Sequence, residues 1–213
     1  MPDPLPAIAR LPPGSGVVFR HDGHPGRAAL ARAVSRLCRA RRLALVVAGD
    51  ARLAADAGAG LHLRGGRRGP GPAGRWLGRH GAAHGSGRRL LTSSAHGAAD
   101  LVRAARAGAD AAFLSPLLPT ASHPGGRALG PVRWAALLHG VRRRVPAQPG
   151  MAAHAMRGGM AVLALGGVSG VTARQVPVGA SGAGVIGAGL ARPVARGTDA
   201  GGAPCRTGSH PAP

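Results

Sequence analysis

The chain contains no lysine, no glutamate and no tyrosine. Every one of its 28 Lys+Arg positions is arginine and every one of its 7 acidic positions is aspartate, the mark of a coding bias that exchanges lysine for arginine. Aromatic residues reach only 2%, which leaves almost nothing to stack on nucleic-acid bases. The two cysteines, Cys38 and Cys205, lie far apart, so neither a disulfide framework nor a zinc site follows, and a reduced cytoplasm is the expected location. The opening MPDPLPAIARLPPG has no apolar core of signal-peptide length. No apolar stretch approaches the roughly 18 residues of a membrane helix, so no membrane partner is expected.

What is present is 45% hydrophobic residues in 213, enough for one full-sized domain with a sizeable core. The 37 glycines and 19 prolines require many turns. A formal charge of +21 attracts phosphates or nucleic acid in a salt-dependent way. RGGRRG at Arg64–Gly69 keeps a basic RNA-binding protein as one alternative, which the scarcity of aromatics opposes.

Short apolar runs alternate with longer helical patterns. Val17–Arg20, Leu43–Val47, Leu61–Leu63, Arg89–Ser93, Ala111–Leu114, Val162–Leu165 and Gly184–Ile186 read as seven strands. Helices are expected over Arg27–Ala40, Arg52–Ala57, Ala98–Ala107 and Pro131–Val141, with a weak one near Thr172–Val176 and a short candidate near Trp76. Such β-α units call for a parallel sheet covered by helices, and their number favours a TIM (β/α)8-type barrel over an open doubly wound sheet. Seven strands leave the barrel one short. Leu5–Leu11 reads as the helix that follows a missing first strand. Residues 1–190 are assigned to the barrel, and 191–213 to a polar, Pro/Gly-rich tail expected to be disordered.

The most informative segment is AAFLSPLLPTASHPGGRALG, Ala111 to Gly130. An apolar run ends at Ser115-Pro116 and passes into a loop whose prolines limit backbone freedom around Thr120, Ser122 and His123. A strand tip of this kind suits a phosphate, which needs donors at fixed positions. Of the other chemistry-bearing side chains, His62 reads as a satisfied core histidine and Cys38 as buried filler. Arg142–Arg144 read as cations ending a helix.

Five pieces in order resemble the thiamine phosphate synthase / TenI-like superfamily. VVFRHD is similar to the family's QLREKD, and LVVAGDARLAADAGAGLHL to IVNDRVDLALALGADGVHLG. LLTSSAH is similar to the GVSTH segment and SPLLPTASHPGGRALG to GPIFPTPTKPG. VLALGGVS with GAGVIGA resembles the paired glycine-rich phosphate motifs. The resemblance implies a TIM barrel that joins a hydroxymethylpyrimidine pyrophosphate to a thiazole phosphate with release of pyrophosphate, helped by magnesium. Its alternatives are a thiazole tautomerase-like activity, which needs no metal, or a catalytically degenerate binder of a phosphorylated thiamine precursor.

Carried over position by position, the resemblance makes Arg20, Thr120, Ser122, Gly166, Gly167, Ile186 and Gly187 the phosphate-binding set. Ser94 and His123 become the catalytic candidates, His123 as acid/base. Magnesium fits less well: Ala48 and Gly49 replace the family's asparagine–aspartate pair, leaving the next residue, Asp50, as the one candidate ligand. The second metal aspartate falls near Arg67, Asp22 replaces a lysine, and His123 replaces the loop lysine.

Overall fold

The computed structural model describes residues 3–65, 89–120, 125–144 and 160–185. Its frame is a seven-stranded sheet in the order β1 to β7, every neighbouring pair parallel. The strands are β1 (Gly16–Phe19), β2 (Ala44–Ala48), β3 (Gly60–Leu63), β4 (Leu91–Ala95), β5 (Ala111–Leu114), β6 (Ala161–Ala164) and β7 (Gly182–Ala183). Helices α1 (Leu5–Ile8), α2 (Arg27–Ala40), α3 (Ala51–Asp56), α4 (Ala98–Arg106) and α5 (Gly130–Arg144) lie between or before them.

Alternation along the strands decides which face meets the helices. Phe19, Val47, Leu61 and Leu91 are buried in one cluster with Ala31, Val34 and Cys38 of α2 and Leu53 and Ala54 of α3. Ala95, Ala112, Leu114, Val162 and Ala164 share a second cluster with Leu101 and Ala104 of α4 and Trp134, Leu138 and Val141 of α5. All these strand residues lie on one face of the sheet. The opposite face carries Val18, Val46, His62, Thr92, Ser94, Phe113 and Leu163, aligned by register. Sequential strand order with the helices on one face is barrel winding. A doubly wound sheet would reverse direction at a switch point and place helices on both faces.

The described residues form a part-barrel. Among the described residues no pairing joins β7 to β1, and Val18 on the inner face of β1 is 39% exposed. The helix α2 occupies the expected span, and β5 does too. Two strands sit elsewhere than expected. β4 begins at Leu91, which places Ser94 inside the strand, and β7 is Gly182–Ala183 rather than Gly184–Ile186. Pairing made the difference: Thr92 aligns with Ala111 and Leu163 with Gly182, and apolar content predicts neither partner. The expected helix near Thr172 is a single 3-10 turn, Ala173–Gln175. Trp76, the bulk of RGGRRG and the 191–213 tail lie outside the described residues. Among those described, no helix is long and apolar enough to cross a membrane.

Candidate active site at the strand tips

At the C-terminal ends of β1, β2 and β3 two aspartates meet two arginines. Asp50 caps α3: its Oδ1 accepts from the Leu53 amide at 2.9 Å, satisfying one orphan donor of the first turn. Its Oδ2 accepts from Arg27 Nη1 at 2.6 Å. The Leu53 hydrogen bond, helped by Arg27 and opposed by partial burial, holds the Asp50 carboxyl below its usual range. Asp22 is shared between Arg27 and Arg64, and both guanidinium groups also donate to the Ala48 carbonyl. Gly49 makes this packing feasible. It sits at φ +70°, with the Arg64 side chain where a Cβ would project.

Beside this cluster His62 is 6% exposed and bridges two hydroxyls of β4. Its Nδ1 is 2.9 Å from Thr92 Oγ1 and its Nε2 is 2.9 Å from Ser94 Oγ. The ring stands edge-on to Phe113 at 5.6 Å between centroids. Burial first, then the charges of Arg20 and Arg64, lowers its pKa from the ordinary 6.5 to about 4. The folded ring is therefore neutral, and the unfolded chain takes up the extra proton between pH 6.5 and about 4. Stability from this group is complete above pH 6.5, declines through that window and levels off below it. The expected loss is about 3 kcal/mol. Urea unfolding of the wild-type chain and His62→Gln across that range tests it, because the variant should lose this component of the slope.

Arg20, the residue after β1, is exposed and has no hydrogen-bond or ion-pair partner among the described residues. Farther along the same edge, His96 follows β4. Its Nδ1 lies 3.0 Å from the Ser115 carbonyl, which only accepts, so Nδ1 carries a proton. Ser115 opens the proline loop through a cis Ser115–Pro116 bond. That loop is tied to the end of β6: Leu117 N donates to Leu165 O at 2.8 Å, and Leu118 N to Gly166 O at 3.1 Å.

Gly166 (φ +89°) and Gly167 (φ +68°) pass so close to the loop that a Cβ on the first would meet Pro116 Cα at 2.8 Å. On the second it would meet the Pro119 carbonyl at 2.6 Å. Among the described residues the consecutive amides of Gly166, Gly167 and Val168 donate to no protein acceptor. A row of free N–H groups at a strand tip is a concavity suited to an anion.

Residues 17–188 match the family described as thiamine monophosphate synthase. The chain belongs to that family. Among solved structures, it resembles thiamine phosphate pyrophosphorylase from Pyrococcus furiosus at a TM-score of 0.56 and 17% identity, over 85% of this chain and 76% of that one. The native KDPGal structure is similar at a TM-score of 0.55 and 16% identity, over 91% and 81%. At such identities these likenesses speak to fold. No curated protein sequence matches.

Against the pattern expected of a thiamine monophosphate synthase relative, Arg20, Ser94, Thr120, Gly166 and Gly167 all fall at the C-terminal edge of the sheet. They form two groups. Arg20 and Ser94 gather about His62, while Gly166 and Gly167 lie against the Pro116–Pro119 segment that leads to Thr120. The His96–Ser115 contact links the two. Ser122, His123, Ile186 and Gly187 lie outside the described residues.

Magnesium does not fit the described residues. Asp50 and Asp22 are each paired with guanidinium groups, so a divalent cation there would meet two arginines. No cluster of three metal-ligating side chains occurs among the described residues. Sequence reasoning overlooked His96, Arg27 and Arg64, and it took His62 only as core. The signal for His62 was its position inside the apolar GLHL run, on the strand immediately before the hydroxyl-rich TSS of β4.

Proposed function

We propose that this chain is a thiamine-biosynthetic protein of the thiamine phosphate synthase type. In this reading it holds a thiazole phosphate on the Gly166–Val168 amides and joins the thiazole to a hydroxymethylpyrimidine pyrophosphate. The observation that carries the reading is the row of amides that find no acceptor among the described residues where β6 meets the proline loop. Family membership supports the substrate class. In the coupling, the C–O bond between the pyrimidine methylene and pyrophosphate breaks and the thiazole nitrogen supplies the new C–N bond. Pyrophosphate leaves with the electron pair of the broken bond. The protein's task is to orient the two rings and stabilise that anion. Arg20, exposed and without a described partner, and Ser94 are the groups this reading assigns to the leaving anion. No step is assigned to a protein-held metal. A cytoplasmic location goes with the reading.

A second reading is a thiazole tautomerase-like proton transfer. It is favoured by the engagement of Asp22 and Asp50 with arginine and by His96 at the strand tips, an imidazole whose Nε2 has no partner among the described residues. Purified chain incubated with both precursors, with and without magnesium, is expected to form thiamine phosphate. Conversion of one thiazole isomer into the other without coupling would select the second reading. Failure to bind thiazole phosphate at millimolar concentration would end both.

A further inference from the structure

We infer that Thr92 locks His62 as the tautomer protonated on Nε2, and that this lock makes the Ser94 hydroxyl a hydrogen-bond donor to the substrate anion. The argument counts protons. A neutral imidazole has one donor and one acceptor nitrogen. His62 is kept neutral by burial and by the cationic charges of Arg20 and Arg64 that face it. Thr92 Oγ1 is buried on β4, and among the described residues its one partner is His62 Nδ1. A buried hydroxyl proton left without an acceptor is costly, so Thr92 donates to Nδ1. The ring proton must then lie on Nε2, which donates to Ser94 Oγ at 2.9 Å. Ser94 thereby accepts from the ring, and its own proton has no acceptor among the described residues.

The opposite tautomer would reverse every bond: Ser94 would donate to the ring and offer only lone pairs outward, which repel an anion. Ser94 is half-buried, with Gly65 packed beside it: a Cβ on Gly65 would touch Ser94 Cβ at 3.4 Å and the His96 ring at 3.5 Å. Its partial exposure is what lets an anionic oxygen approach the residue. His62 is in this account a positioning residue for a donor, with Thr92 as the residue that sets its tautomer. The role of the anion as leaving pyrophosphate rests on the function proposed above, whereas the tautomer does not.

The test uses the full chain and inorganic pyrophosphate as the probe. Nitrogen-15 NMR of the ligand-free protein is expected to show His62 protonated on Nε2. Thr92→Val, close in shape, should lose that lock and let Nδ1-protonated rings appear beside the Nε2-protonated form, and its pyrophosphate affinity should fall with the fraction of competent tautomer, about twofold for an even mixture. Thr92→Ser should restore both readings. A His62 proton found on Nδ1 in the wild-type chain overturns the inference, and so does a Thr92→Val variant that binds pyrophosphate as tightly as wild type. Wild-type chain that fails to bind pyrophosphate overturns it as well, and if thiazole phosphate still binds, the proposed function survives that loss.

Discussion

Trp134→Ala is expected to destabilise the fold by about 3–5 kcal/mol, a large part of the roughly 5–15 kcal/mol that holds a domain of this size together. Trp134 is fully buried, the largest such side chain described, and shares its cluster with Leu101, Leu114 and Leu117. Its removal leaves a cavity between α5 and the sheet that the short strands β5 and β6 cannot collapse to fill. A polar cost adds to the lost volume. Trp134 Nε1 donates to the Leu114 carbonyl at 3.0 Å, at the tip of the strand that feeds the proline loop. Trp134→Phe keeps much of the volume and loses the N–H, so it should fall between wild type and alanine. Urea denaturation of the three chains measures the series. A loss below about 1 kcal/mol for alanine would show that this core is far looser than its burial implies.

Gly167→Ala is the second large effect, and it joins stability to binding. At φ +68° any side chain costs about 1 kcal/mol of backbone strain. The new Cβ would also stand 2.6 Å from the Pro119 carbonyl and 2.7 Å from Leu118 Cβ, so either the loop or the end of β6 must move. Overpacking of this kind adds about 1–3 kcal/mol. Gly108→Ala is the control: Gly108 has φ +75° but nothing within 4 Å, so it should show the strain alone. The difference between the two variants in a thermal or urea melt isolates the close approach. If the Gly166–Val168 amides hold a phosphate, Gly167→Ala should also lose thiazole phosphate binding by at least about tenfold, while Gly108→Ala keeps it. Equal destabilisation by the two substitutions, or undiminished binding by Gly167→Ala, would refute the role given to this turn.

The elements legible in the sequence were those whose local chemistry needs no partner. Helix α2 runs over Arg27–Ala40 as its apolar spacing predicts, because Ala31, Val34 and Cys38 must share one face wherever that helix packs. β5 was likewise bounded by its own sequence, an apolar run with Asp110 before it and Pro116 just beyond it. Strands with little side chain to bury were misplaced. β7 is a Gly–Ala pair whose place is set by hydrogen bonds to β6, and β4 is aligned by β3 and β5.

The candidate site divides in the same way. Arg20, Ser94, Gly166 and Gly167 were recognisable through the resemblance to the family's motifs, and Thr120 also through the prolines that limit its loop. The arginine pairing that occupies Asp22 and Asp50 was not recognisable, since it joins residues from three strand tips up to 42 positions apart. Nor was the bridge from Thr92 through His62 to Ser94, which exists only because β3 and β4 are in register.

Taken alone, the order of residues determined the repeating strand–helix pattern, the arginine-only positive charge and the glycine and proline punctuation of the strand tips, all properties of local composition and period. Tertiary structure alone decided which charges neutralise one another, which hydroxyls share a ring and which amides stay free. Hydrogen bonds and ion pairs act over a few ångströms, and only the folded sheet brings distant strand tips that close.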